Sequence, residues 1–267
     1  MQLAVLTTTY RPRGFERLLQ ALAQQTRKPD TLVLALEGVA LTEALGTSLA
    51  VRNVATLVLV EHVDSVLEVA VARNWNIALD RLSGRALAPE QLVVLISDCS
   101  WVPPHFLERI EEIFSKVTLS MLGANTVDHK DVRCEGRVEP GRLHVCSAEP
   151  VYGSHQPGTL LSMMSPMNVG WSSAAALLTT WEAVGGWDER LCGGKAYDEG
   201  LLFRRVGAIT GKPALIAPEL VCHRFPRAAG SKKETRTPPE NWEIVQRLIS
   251  DPEEMKKQSW RQGMAPR

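Results

Sequence analysis

Long apolar runs are missing from this chain of 267 residues. The longest, such as Leu92–Ile96 and Ala174–Leu178, fall far short of the roughly 20 residues that cross a bilayer as a helix. An integral membrane segment is therefore not expected. Cysteine is scarce and unpatterned. Cys99, Cys134, Cys146, Cys192 and Cys222 are odd in number, widely spaced and free of any CxxC pair, which fits neither a disulfide framework nor a zinc cluster. Net charge is lacking as well, with 30 Lys and Arg against 30 Asp and Glu, so composition supplies no pull toward nucleic acid or anionic membranes. Repeats and low-complexity tracts are absent. No basic stretch leads into an apolar one at the start, and the expectation is a protein that is cytoplasmic, or that acts on a membrane only from outside.

What is present is ordinary for a globular protein: 45% hydrophobic and 22% charged residues, in a length that suits one large α/β domain or two small ones. Strand and helix patterns alternate through the first half. Leu3–Thr9 is a short apolar run ending in threonines. Phe15, Leu18, Leu19 and Leu22 then recur at helical spacing, and Lys28-Pro29-Asp30 breaks the pattern before a second strand at Thr31–Leu36. A third strand is expected at Thr56–Val60, a helix over Val66–Leu82 and a fourth strand at Gln91–Ile96. Pro103-Pro104 then opens a helix at Phe106–Phe114. This alternation predicts a mainly parallel sheet covered by helices on both faces. Asp128–Gly158 reads as loop, Trp171–Trp181 and Tyr197–Arg205 as packed elements, and Pro238-Pro239 as the start of a last amphipathic helix. Asp251–Arg267 is polar and is expected to fray. From Arg224 onward ten Lys and Arg stand against six Asp and Glu, a locally basic end.

In an open parallel sheet, ligands bind beyond the carboxyl ends of the strands. After the first strand lie Thr8, Thr9, Tyr10 and Arg11; after the second, Glu37; after the fourth, Asp98-Cys99-Ser100. Hydroxyls, an aromatic ring, an arginine and two acids at one edge suit a nucleotide diphosphate with a divalent cation. Each residue also has a purely structural use, since threonine and aspartate cap helices.

The order of segments resembles the family 2 glycosyltransferases with the GT-A fold. LAVLTTTYRPRGFERLLQALAQQTRKPDTLVLALEG is similar to that family's first strand, helix and second strand, and VARNWNIAL to its Ala-Arg-Asn segment. LVVLISDCSWVPPHFLERI resembles the strand bearing its Asp-x-Asp motif with the proline-led helix that follows. AVGGWDERL is similar to its Gly-Gly-Phe-Asp-Glu signature, YDEGLLFRR to its acidic pair before a helix, and VCHRFP to the place of a metal-binding histidine.

The resemblance implies a GT-A, Rossmann-like catalytic domain over residues 1–230, with a nucleotide-sugar half (1–123) and an acceptor and catalytic half (124–230). Residues 231–267 follow as a helix and basic tail. It implies a metal-dependent, hexosyltransferase-type enzyme that moves a sugar from a nucleotide-diphosphate sugar, taken as a UDP-sugar, to a hydroxyl acceptor with inversion. Thr8, Thr9, Tyr10, Arg11, Glu37, Arg73 and Asp98 would bind the donor. Asp98, Ser100 and His223 would hold Mn²⁺ or Mg²⁺. Asp198 falls on the general base, with a helix cap as its structural alternative. Trp101, Trp171, Trp187 and Asp188 are placed on the acceptor side, Trp187 also standing where the family has a buried aromatic.

The chain departs from the pattern in several places. Ser100 replaces the second acid of Asp-x-Asp, Tyr197 the acid before the base, and Asn76 a common glycine. Two other readings follow: a glycosyltransferase acting on hydroxymethylated bases of phage DNA, and a non-catalytic nucleotide-sugar binder.

Overall fold

The first strand, β1 (Leu3–Thr9), is buried along its whole length. It shows no polar alternation because both of its faces are covered. Leu3 and Val5 pack with Leu18 and Leu22 of α1 (Glu16–Ala23), whereas Ala4 and Leu6 point to the other face. Parallel neighbours flank it, β2 (Thr31–Glu37) on one side and β4 (Leu92–Ile96) on the other, and β3 (Thr56–His62) extends the sheet beyond β2. Helix α2 (Val71–Ser83) lies on the face opposite α1, burying Ala78, Leu79 and Leu82. The computed structural model describes residues 1–9, 16–37, 56–62, 71–83, 90–128, 158–162, 173–192, 198–225 and 238–256. The expected helix start at 66–70 and most of the expected loop at 128–158 lie outside them.

The second half adds β5 (Ser100–Trp101), α3 (Phe106–Lys116), β6 (Met121–Asp128), β7 (Leu161–Ser162), β8 (Ser173–Leu177) and α4 (Leu178–Val184). A 3-10 turn (Glu189–Leu191), α5 (Asp198–Thr210), β9 (Ala214–Arg224), α6 (Pro238–Ser250) and α7 (Pro252–Lys256) complete it. The strand order is β3-β2-β1-β4-β8-β6-β9-β5, with β7 also paired to β9. Strand β8 runs antiparallel between β4 and β6, while β6 and β9 are parallel. Six of the nine described strands therefore share one direction, which is the mainly parallel α/β sheet expected. No described helix is long and apolar enough to cross a membrane.

The segment expected to fray instead begins with a helix. Asp251 accepts hydrogen bonds from the amides of Glu253 (3.1 Å) and Glu254 (3.0 Å), and Pro252 occupies the first helical position. Met255 then joins Leu191, Leu201, Val245 and Leu248 in a third core cluster. At the amino edge of the sheet, the Asp30 carboxylate accepts from the Leu3 amide (2.8 Å) and from Arg27 (2.7 Å). Burial raises the Asp30 pKa, but the Arg27 and Leu3 bonds outweigh it, and the carboxyl stays below its ordinary value.

Candidate functional site

All six parallel strands end at one edge, and the residues that finish them build the site. Thr9 closes β1, Glu37 closes β2 beside His62 of β3, and Asp98 lies two residues past β4. The register pairs Leu6 with Leu95, so Thr9 and Asp98 come level. The Thr9 hydroxyl donates to Asp98 Oδ2 at 2.5 Å, with both side chains buried. Thr8 is buried beside them. Tyr10 and Arg11, expected at the same edge, lie outside the described residues, as do the side chain of Glu37 and all of Trp171.

Past Asp98 the chain turns, the Ser100 amide donating to the Ser97 carbonyl (3.1 Å), and enters β5. Antiparallel pairing sets Ser100 opposite Arg224 and Trp101 opposite His223. The Trp101 and His223 rings meet edge-on at 5.6 Å. The Phe225 amide donates to the Cys99 carbonyl (3.0 Å), and the Arg17 guanidinium of α1 lies 3.9 Å over the Phe225 ring. A cation is thus stacked at this same edge, a feature with no local signature in the sequence.

These registers test the expected metal set. Cross-strand partners share a face of the ladder and successive residues alternate. Ser100 therefore leaves on the face of Arg224, and His223 on the face of Trp101. The Ser100 side chain is wholly buried, and its hydroxyl has no hydrogen-bond partner among the described residues. No three His, Cys, Asp or Glu side chains converge among the described residues. The register thus sets Ser100 and His223 on opposite faces of the β5–β9 ladder.

The second half of the chain carries the Gly-Gly-Trp-Asp-Glu turn. Gly185 and Gly186 both have positive φ, 70° and 68°, a conformation that favours glycine. A Cβ on Gly186 would overlap Asn76 Oδ1 and stand 3.2 Å from its Cγ. Asn76 of α2 uses that close approach. Its Oδ1 accepts from the Trp187 amide (2.8 Å), and its Nδ2 donates to the Trp187 carbonyl and to Glu189 (3.0 Å each). Arg73, one turn earlier, donates from Nε to Glu189 at 2.9 Å while remaining part-exposed. The expected donor ligand on α2 thus also braces this turn.

Two acceptor expectations are corrected here. Trp187 is 2% exposed and sandwiched between Trp75 and Trp181, with ring centroids at 5.6 and 5.3 Å. Neither face is open to a sugar. Asp188 is also buried; its Oδ1 accepts from the Arg190 amide and Nε, and its Oδ2 from Arg190 Nη2 at 2.6 Å. It caps the 3-10 turn. Trp101 is 7% exposed and offers little surface. Asp198 is the first residue of α5, and its side chain lies outside the described residues. Sequence reading missed Asn76, Glu189 and Arg190 as organisers. The Asn76 departure from glycine was the visible signal.

A cavity of about 580 Å³ opens at the opposite, amino edge, lined in part by Gln2, Glu90, Lys116 and Lys212. It lies away from the strand carboxyl ends where ligands of such sheets bind.

No protein-family model matches the sequence, and no curated relative is similar to it. Solved structures are similar in fold. TarS from S. aureus superposes with a TM-score of 0.61 at 13% identity, covering 94% of this chain and 39% of that one. TarS 1–349 in complex with UDP-GlcNAc gives a TM-score of 0.62 at 13% identity, covering 94% and 66%. GalNAc-T7 with UDP, GalNAc and Mn²⁺ gives 0.59 at 12% identity, covering 92% and 47%. The chain therefore spans about two thirds or less of the proteins it resembles. With nearly its whole length superposed on these structures, it has the GT-A glycosyltransferase fold.

Proposed function

We propose that this chain is an inverting glycosyltransferase that moves a sugar from a UDP-sugar to a hydroxyl-bearing acceptor. The observation that carries the reading is the Thr9–Asp98 pair at the carboxyl edge of a GT-A sheet. It is supported by fold neighbours crystallised with UDP and with UDP-GlcNAc.

Asp98 would hold Mn²⁺ or Mg²⁺ together with the donor's own diphosphate, a neighbour having been crystallised with Mn²⁺. Such a cation, when bound, supplies positive charge to the departing diphosphate. Thr9 fixes one Asp98 oxygen, so the carboxylate is oriented before the donor arrives. Glu37, at the end of β2, and Arg73, on α2, would contribute to donor binding. Asp198, at the start of α5, is the general base; backbone amides at a helix start stabilise its ionised form. It takes the acceptor proton as the hydroxyl attacks the anomeric carbon from the face opposite the diphosphate, which inverts the configuration.

Calorimetry with UDP-, GDP- and dTDP-sugars, with and without Mn²⁺, tests the reading. Saturable UDP-sugar binding that Asp98→Asn weakens is the expected outcome. Absence of binding to every donor sinks it.

A further inference from the structure

We propose that Glu254 of α7 is a positioning residue, which through Arg190 and Asp188 sets the 187–191 turn against the helix carrying Asp198. This role rests on the glycosyltransferase reading, and concerns a part of the chain outside the donor site.

The charges make the case. Asp188 is almost wholly buried, with a side-chain exposure of 2%, and both its oxygens are engaged by Arg190. Arg205, from the second turn of α5, is fully buried and is coupled electrostatically to Asp188 and Arg190. Burial lowers the Arg205 pKa, Asp188 acting against it and Arg190 with it. Glu254 joins the pair from α7, accepting from Arg190 Nη1 at 2.6 Å, so Arg190 bridges a carboxylate of its own turn and one of α7. The Arg190 pKa is raised, through Asp188 first and Glu254 after it, against the cost of burial.

Position follows from the same contacts. Asp251 caps α7 and holds the Glu254 amide, so the carboxylate arrives on a fixed helix. The apolar cluster of Leu191, Leu201, Val245, Leu248 and Met255 joins the turn, α5, α6 and α7 in one packed unit. Across the turn, Asn76 and Arg73 of α2 tether Trp187 and Glu189. The 187–191 turn is therefore held from the donor half on one side and from the carboxyl-terminal helices on the other. Arg190 and Glu254 are each about a third exposed, and such pairs contribute little to global stability. What the pair fixes is geometry, and a displacement of about 1 Å at a reacting group costs ~10²-fold in rate.

The test uses Glu254→Gln and Arg190→Lys in the full chain, with Glu253→Gln as the control, its carboxylate being 82% exposed and outside the cluster. Lysine keeps the charge of Arg190 but lacks the planar fork that serves two carboxylates. Hydrogen–deuterium exchange is followed over residues 187–205, with UDP affinity, donor KM, turnover and Tm measured in parallel. Both cluster variants should exchange faster in that segment only and lose ~5–30-fold in kcat. UDP affinity and donor KM should change less than kcat, because the Thr9–Asp98 pair is untouched and the turn reaches the donor half through Glu189 and Arg73, and Glu253→Gln should match the parent. Unchanged exchange overturns the proposal. So does faster exchange with parental kcat, which would make Glu254 structural only. If the parent protein binds no UDP-sugar, the functional reading fails, and unchanged exchange in Glu254→Gln is then the result that separately overturns the positioning.

Discussion

Replacing Gly186 by alanine probes how closely α2 and the turn before the 3-10 helix depend on each other. Two costs act together. Gly186 sits at φ 68°, and an L-residue in the left-handed region loses about 1–2 kcal/mol. The new Cβ would also overlap Asn76 Oδ1, which accepts from the buried Trp187 amide. Displacing that oxygen leaves a buried donor unsatisfied, at a cost of about 1–3 kcal/mol. The sum is ~2–5 kcal/mol, read as a fall in the urea midpoint at constant m-value. Shortening the neighbour separates the two costs. In an Asn76→Gly background the overlap disappears, so Gly186→Ala should there cost only the backbone share, about 1–2 kcal/mol. A loss below about 1 kcal/mol in the Asn76 protein, or equal losses in both backgrounds, would refute the close-approach argument.

Thr9→Val keeps the shape of the side chain but removes the donor to Asp98; stability should fall by about 1.5–3 kcal/mol, and calorimetry should show weaker UDP-sugar binding. Equal stability and affinity would mean that the bond does not orient Asp98. Asp198→Asn should preserve the fold, since asparagine caps a helix about as well as aspartate, and lower kcat by ~10²–10⁴-fold with donor affinity unchanged. Near-parental turnover would leave Asp198 as a cap. Asp30, whose folded pKa is depressed below 3.8, contributes stability that is present above that value and lost as pH falls through the folded pKa. Asp30→Asn should therefore be less stable than the parent at pH 7, the gap closing below about pH 4. Parallel stability curves from pH 7 to pH 2 would contradict this.

The amino-terminal half was legible because its signals are local. β1 and β4 are short continuous apolar runs, as strands covered on both faces must be, and polar residues follow them at the ligand edge. The second half was less legible because its logic is tertiary. β6 (MLGANTVD) mixes small, polar and apolar residues, and is buried only because β8 and β9 flank it, with Asn125 donating to the Pro218 carbonyl. Trp187 and Asp188 sit in a motif that reads as functional, yet stacking and ion pairing bury both. Strand register, invisible in a single sequence, sets Ser100 opposite Arg224 and His223 opposite Trp101. The helix after Asp251 did have a local signal, Asp-Pro-Glu-Glu, outweighed by the polarity of the residues beyond it.

The insertion of β8 between β4 and β6 has a bearing on how the chain is made. β4 is finished by residue 96, but its second partner begins at Ser173. A nascent or truncated chain ending before β8 would carry Leu-Val-Val-Leu-Ile with one row of backbone amides and carbonyls unpaired. Such an edge, uncharged and apolar on both faces, is a template for association with other chains. Closing it requires contacts across some 80 residues, which slows folding and lengthens that exposure. Fragments ending before residue 173 should therefore collect in inclusion bodies, whereas chains that extend through β9 should stay dispersed.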